Sequence, residues 1–112
     1  MKELTSEIKK FVKARDWEQF HSPKNLAIAL SVESSELLEI FTWLKKDEVQ
    51  NLNESQMNSI RDEIGDILIY LINFSDKLDL DPIECAKSKL ENNHHKYPAE
   101  LVKGKAKKYS EY

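Results

Sequence analysis

The chain has 112 residues, 33% of them charged and 40% hydrophobic, which is the length of one domain. Two glycines are too few for the turns of an all-β fold, and 17 basic against 20 acidic residues exclude a protein that coats nucleic acid. The single cysteine, Cys85, excludes an internal disulfide and a cysteine-based zinc site. No apolar run approaches the length of a membrane span, so we expect a cytoplasmic helical protein without a membrane or a nucleic-acid polymer as partner.

Two helices are predicted in the first half of the chain. Apolar residues at helical spacing place the first helix over residues 4–15, and an irregular, aromatic-rich connection over 16–21 follows it. Ser22-Pro23 is typical of a helix start, because serine caps the first amides and proline suits the first helical position. We expect this second helix to continue to about Lys46, where lysine suits a helix C-terminus.

Two further helices are predicted in the second half. Asn53 with Gln56 three residues later has capping-box spacing and starts a helix that should end near Leu78. Asp81-Pro82 starts a fourth helix, which should run to about Lys96. Residues 1–98 then form a single helical domain, and residues 99–112 form a polar, lysine-rich tail.

Acidic pairs interrupt the apolar faces of the second and third helices. At about 100° per residue, Glu33 lies inside the apolar stripe of the second helix and Glu36 lies at its edge. Glu63 and Asp66 take the same positions on the third helix. Residues three apart are neighbours on a helix, so each pair projects to one side. If the two helices pack antiparallel, the four carboxylates converge on one pocket.

Four crowded carboxylates cannot all stay ionised without cations. The second helix has no basic residue between Asn25 and Leu44, and Arg61 of the third helix points away from the apolar stripe. Either Lys89 or Lys96 of the fourth helix forms salt bridges with these carboxylates, or a divalent metal ion binds to them. All-oxygen ligands favour Mg²⁺, Mn²⁺ or Ca²⁺ over iron and zinc, and carboxylate-bound Mg²⁺ typically also binds substrate phosphates.

These acidic pairs resemble the signature of a known family. Glu33-Ser34-Ser35-Glu36 followed by Glu63-Ile64-Gly65-Asp66 is similar to the ExxE…ExxD pattern of the MazG-like nucleotide pyrophosphohydrolases. The segment Asp16-Trp17-Glu18-Gln19-Phe20-His21 resembles one branch of that family, the dCTP pyrophosphatase type. The similarity covers nearly the whole chain. Further similarities to this branch lie at Trp43, at residues 66–71, at Lys89 and Asn93, and at Tyr97-Pro98.

The resemblance implies an all-α, four-helix MazG-like fold that assembles into a homo-oligomer, usually a dimer of dimers. It also implies Mg²⁺-dependent hydrolysis of a (deoxy)nucleoside triphosphate, dCTP favoured, to the monophosphate and pyrophosphate, with Mn²⁺ as substitute and nucleotide-pool cleaning as the role. The family's metal ligands and catalytic carboxylates correspond to Glu33, Glu36, Glu63 and Asp66. Its substrate-binding positions correspond to Trp17, Glu18, Gln19, Phe20, His21, Trp43 and Tyr70, whereas Ile8 stands where that branch can carry a histidine.

Other interpretations of the same residues stay open. Lys89 and Asn93 share one face of the fourth helix and are expected to contact phosphate, although charged helix faces are often only solvated. Trp17, Phe20 and His21 can also be explained as a hydrophobic plug on a helix start, Trp43 as a dimer contact and Tyr70 as a core residue. The alternative to an enzyme is a non-catalytic helical partner module with a divalent-cation site. The third helix is apolar almost all round, which predicts a subunit interface that includes Ile64, Leu68 and Ile72.

Overall fold

The computed structural model describes residues 1–104, and every regular element in this range is helical. The all-α prediction is therefore confirmed. The described residues contain no helix that is long and apolar enough to span a membrane. The helices are α1 (Lys2–Ala14), α2 (Pro23–Thr42), α3 (Lys46–Gln50), α4 (Glu54–Lys77), α5 (Pro82–Lys96) and α6 (Ala99–Val102), with a 3-10 turn (Glu18–Phe20) between α1 and α2.

The three helix starts predicted from capping residues are the observed ones, and α1 begins two residues before the predicted Leu4. The Ser22 hydroxyl accepts a hydrogen bond from the Asn25 amide at 3.1 Å, ahead of Pro23 at the first position of α2. At the start of α4, the Asn53 side chain accepts from the Gln56 amide at 2.8 Å, and the Gln56 side chain accepts from the Asn53 amide at 2.9 Å. These caps satisfy amides that have no partner within the helix, and so they set where each helix begins.

The second helix ends earlier than expected. Its last residue is Thr42, and Lys46 begins the short helix α3 instead of closing α2. The Glu48 side chain accepts a hydrogen bond from the Lys45 amide at 3.2 Å. Asp47 and Glu48 then lie in the first turn of α3, where negative charge is favourable. The acidic residues after the two lysines therefore decide the local structure, and the four long helices keep the predicted order.

An aspartate in the left-handed conformation lies just beyond the C-terminus of both α1 and α4. Asp16 has a φ of 54° and Asp79 a φ of 55°, a region that aspartate tolerates better than most residues. Beyond each aspartate, the next amide turns back to the helix: the Trp17 amide donates to the Val12 carbonyl at 3.1 Å, and the Leu80 amide to the Ser75 carbonyl at 2.9 Å. This Schellman geometry reverses the chain after α1 and directs Trp17 back toward that helix.

The chain divides into two compact units, Met1–Leu80 and Asp81–Tyr112. In the first unit, α4 packs against α2 and α1. Leu26 and Ile72 are each only 1% exposed, and Ile72 forms a buried cluster with Ile8 and Val12. The expectation that Ile72 lies in a subunit interface is therefore wrong, because α1 already covers it.

The second unit contains α5 and α6. Lys89 and Asn93 both lie on α5, and the Asn93 carbonyl accepts a hydrogen bond from the Tyr97 amide at 2.8 Å where that helix ends. The first residues of the predicted tail form α6. Residues 105–112 lie outside the described residues, and the division into a domain over 1–98 and a tail over 99–112 stays a prediction.

Candidate active site

Three of the four predicted metal ligands meet between α2 and α4. One carboxylate oxygen from each of Glu33, Glu36 and Glu63 lies within 4.8 Å of the others. Glu33 and Glu63 are half-buried and Glu36 is exposed. The helix pairing therefore joins acidic residues that are 30 positions apart in the sequence, as the helical spacing predicts.

This cluster has unsatisfied oxygens. Oε2 of Glu33 and Oε2 of Glu63 are buried and accept no hydrogen bond from the part of the chain that the structure describes. Within residues 1–80, no lysine or arginine forms an ion pair with these glutamates, and Arg61 instead contacts Glu54 at 3.4 Å. Buried acceptors without a donor are costly. Oxygen-only donors of this kind suit a divalent cation such as Mg²⁺.

The crowding also changes the acidity of the cluster. The pKa of Glu33 is raised to about 7 because its protonated form can donate a hydrogen bond to the Glu63 carboxylate, and because burial and the neighbouring Glu36 disfavour its charged form. The pKa of Glu63 is raised as well. Its hydrogen bond with Glu33 lowers that pKa, but burial and the negative charges of Glu36 and Asp66 raise it by more. A proton or a cation is therefore needed to relieve the repulsion between these groups.

Asp66 connects the carboxylates to a cavity of about 380 Å³. It lies one turn beyond Glu63 on α4, close enough for its charge to act on that residue, and it lines the cavity. The volume lies within the range of small-molecule sites. The other lining residues are Glu7, Ile8, Phe11, Val12, Trp17, His21, Ile69, Tyr70 and Asn73.

Stacked side chains build one wall of this cavity. The Trp17 and Phe11 rings meet edge to face, with centroids 5.7 Å apart and planes at 72°. The Arg15 guanidinium covers the Phe11 ring at 3.6 Å and donates a hydrogen bond to the Phe11 carbonyl at 3.0 Å. Trp17 remains 43% exposed. The Arg15 guanidinium therefore supports this aromatic wall, and the exposed part of the Trp17 ring leaves it accessible to a ligand.

A hydrogen bond on the cavity lining joins two distant segments. The Asn73 amide nitrogen lies 3.0 Å from Nδ1 of His21, across 52 positions of sequence. Asn73 is 7% exposed, and His21 is half-buried. The contact holds the segment before α2 against α4.

Comparison with known proteins identifies the family. The sequence profile of the MazG-like family matches residues 28–112. The chain belongs to this family. Its acidic pairs on α2 and α4 are the residues that carry the resemblance, and both pairs fall inside the matched region.

Individual proteins agree with this assignment. Over 103 residues, the chain is 37% identical to dCTP pyrophosphatase 1 of Homo sapiens and of Bos taurus. The match covers 90% of this chain, which spans 61% of the length of these curated relatives. A crystal structure of a pyrophosphatase from Archaeoglobus fulgidus superimposes with a TM-score of 0.82 at 42% identity, covering 88% of this chain and 92% of that one.

The structure of this MazG-like chain does not bring all the predicted residues to the cavity. Trp17, His21, Tyr70 and Asp66 line it, as described above. The Gln19 side chain instead donates to the Asp16 carbonyl at 3.0 Å. Three other predicted substrate contacts of the first unit lie outside its lining: Glu18 at the start of the 3-10 turn, Phe20 with 60% exposure, and Trp43 with 90% exposure after α2. Lys89 and Asn93 lie on α5 of the second unit.

Besides Ile8, five cavity residues were not among the candidates: Glu7, Phe11, Val12, Ile69 and Asn73. Asn73 had a sequence signal, because it interrupts the apolar stretch Ile67–Phe74 and lies about 20° from Asp66 around the helix. Phe11 and Ile69 look like ordinary core residues in the sequence. Only the packing of α1 on α4 turns their side chains into cavity walls.

Proposed function

We propose that this chain hydrolyses deoxynucleoside triphosphates between the α- and β-phosphates, releasing the monophosphate and pyrophosphate, with dCTP favoured. The observation that carries the proposal is the acidic cluster with unsatisfied oxygens, connected through Asp66 to an aromatic-walled cavity. Family membership supports it, as do the relatives named dCTP pyrophosphatase and the similar pyrophosphatase structure.

Glu33, Glu36 and Glu63, with Asp66 beside them, would hold Mg²⁺ or Mn²⁺. When bound, the metal neutralises phosphate charge and lowers the pKa of a bound water. Glu36 and Asp66 are the exposed members of this set, whereas Glu33 and Glu63 are half-buried. Glu36 or Asp66, the more exposed of these carboxylates, would accept the proton of the attacking water. No serine or cysteine nucleophile with a partnered base is evident in the sequence, so the reaction needs no covalent intermediate.

The cavity would hold the nucleoside. Trp17 and Phe11 offer the base an aromatic surface, and His21 offers it a hydrogen bond. Tyr70 lies one turn beyond Asp66 on α4 and lines the same cavity, so it would face the sugar and restrict a 2′-hydroxyl. Lys89 and Asn93 are proposed phosphate contacts. Trp43, exposed in the single subunit, would join a base pocket only through a second copy.

We further propose a cytoplasmic homo-oligomer, a dimer of dimers, that removes unwanted nucleotides from the pool. Apolar side chains are exposed on both long helices of the first unit, among them Ile28 and Val32 on α2 and Ile64 and Leu68 on α4. Each pair is four residues apart and so forms an apolar patch on one face of its helix, which favours self-association.

The deciding experiment is a panel of the deoxyribo- and ribonucleoside triphosphates with Mg²⁺, with products resolved as pyrophosphate or orthophosphate. We expect pyrophosphate, and no turnover after chelation of the metal. Orthophosphate as the product would contradict α–β cleavage. Cation binding without turnover of any nucleotide would favour the non-catalytic partner module.

A further inference from the structure

The hydrogen bond between Asn73 and His21 has a direction that restricts the histidine. An amide nitrogen donates and cannot accept, so Nδ1 of His21, 3.0 Å away, must be the acceptor. A neutral imidazole that accepts at Nδ1 carries its proton on Nε2. Asn73 therefore selects one of the two neutral tautomers.

The remaining nitrogen is available to a ligand. Within residues 1–104, Nε2 of His21 has no hydrogen-bond partner, and the His21 ring lines the cavity beside Trp17 and Tyr70. Asn73 and Ser75 are the buried polar residues of α4, and the Ser75 hydroxyl donates to its own helix, to the Leu71 carbonyl at 2.8 Å. Asn73 is thus the buried polar residue whose side chain acts outside its own helix.

We propose that Asn73 is a positioning residue that holds His21 as an Nε2–H donor and thereby selects nucleobases with an acceptor on the edge that faces it. This inference rests on the proposed function, because it places the base in the cavity. N3 of cytosine is an acceptor, whereas N3 of thymine carries a proton. A donor fixed toward N3 therefore favours dCTP over dTTP, since thymine would leave its own N3–H and the Nε2–H of His21 without an acceptor.

The tautomer can be measured without any enzyme activity. In ¹⁵N NMR spectra of the full chain, the two ring nitrogens of His21 report which one carries the proton, and the spectrum of His21→Gln separates its signals from those of His94 and His95. We expect the proton on Nε2 in the wild type. In Asn73→Asp, the carboxylate can only accept, and we expect a proton on Nδ1. A wild-type proton on Nδ1 would overturn the proposal, whatever the fate of the proposed function.

A double-mutant cycle tests the effect on specificity. Asn73→Leu keeps the size of the side chain and removes the donor. We expect KM for dCTP to rise roughly tenfold with kcat little changed, and the dCTP-over-dTTP ratio of kcat/KM to fall toward one. In a His21→Phe background, Asn73→Leu should change neither quantity, because the positioned ring is already gone.

Ser75→Ala is the matched control for loss of a buried polar group on α4, and it should leave the ratio unchanged. Asn73→Ala replaces the leucine variant if thermal melts show that leucine is not accommodated. If Asn73→Leu lowers the dCTP-over-dTTP ratio of kcat/KM equally in the wild-type and His21→Phe backgrounds, the proposal is overturned, because Asn73 would then act through packing. An unchanged ratio and KM in Asn73→Leu would overturn it as well.

Discussion

Glu63 has a buried carboxylate oxygen, acidic neighbours on both sides and no basic partner among residues 1–80. Its removal should therefore affect catalysis and stability in opposite directions. Glu63→Gln keeps the size and removes the charge. We expect kcat/KM for pyrophosphate release from dCTP to fall by at least about 10²-fold, the scale for losing an electrostatic group at a reacting centre. Glu36→Gln should have the same effect.

Without metal, these variants should melt at the wild-type temperature or above it, because like-charge repulsion is relieved. Glu39→Gln, which changes an exposed acid on the same helix as Glu36, is the control and should be neutral in both measurements. Near-normal turnover in Glu36→Gln and Glu63→Gln would remove the assignment of the metal site.

Glu33 predicts how stability depends on pH. Its folded-state pKa is raised from 4.5 to about 7, so the folded state holds the proton more tightly than the unfolded chain. Its contribution to stability is complete below pH 4.5 and is lost as the pH rises through about 7. Urea denaturation in the presence of a chelator should show this decline, and Glu33→Gln should flatten it. Adding Mg²⁺ at the alkaline end should restore stability. A decline of equal slope in Glu33→Gln would assign the effect to other groups.

Trp17 and Tyr70 should affect different parts of the nucleotide. Trp17→Ala removes the open aromatic surface and should weaken binding by the roughly 1–3 kcal/mol of one stacked base, seen as a rise in KM. Trp17→Phe should retain most of this binding. Tyr70→Ala opens space beside the sugar, so its effect should be a lower preference for dCTP over CTP. If both alanine variants keep the wild-type KM and ratio, the two aromatics serve packing alone.

Among the elements, the start of α2 connects fold and site. The Ser22 cap fixes the first turn of α2, and the Asn25 side chain donates a hydrogen bond to the Phe20 carbonyl at 3.0 Å. His21 lies between Phe20 and Ser22 in the sequence, so both contacts hold the segment that carries it. Ser22→Ala should lower the free energy of unfolding by about 1 kcal/mol, the usual value for a lost serine cap. Ser59→Ala, at an exposed position inside α4, controls for the loss of a serine hydroxyl group that caps no helix. A loss in Ser59→Ala equal to that in Ser22→Ala would show that the cap is not the cause.

At the scale of the whole molecule, the exposed apolar residues predict self-association. Ile64 is 55% exposed in the middle of α4, although this helix also carries the buried core. We expect light scattering at micromolar concentration to give the mass of a dimer or tetramer. Ile64→Glu should shift the protein toward the monomer, because a charge cannot be buried in an apolar interface without a partner.

Val49→Glu, on the short helix α3, introduces the same charge at a position with 41% exposure and should leave the assembly intact. A folded wild-type monomer of 13.1 kDa would contradict the prediction of self-association.

Helix starts and the acidic cluster were predictable from the sequence because both depend on local geometry. Ser22, Asn53 and Asp81 cap the helices that follow them within a single turn. The three-residue spacing of Glu33 with Glu36 places both on one side of α2 in any helical packing. The end of α2 was less predictable, because Lys45 and Lys46 suit a helix C-terminus as well as the approach to a new acidic first turn.

Only the tertiary structure decided which side chains share the cavity. Asn73 meets His21 across 52 positions, and Ile72 is buried by α1 instead of forming an outer face. The helical pattern of α4 is apolar almost all round, so it shows that the helix is covered but not which neighbour covers each side. The sequence by itself therefore determined the helices and the chemistry of the acidic pairs. The packing of α1 and α2 on α4 decided where the cavity opens, because contacts between distant segments leave no periodic signal in the chain.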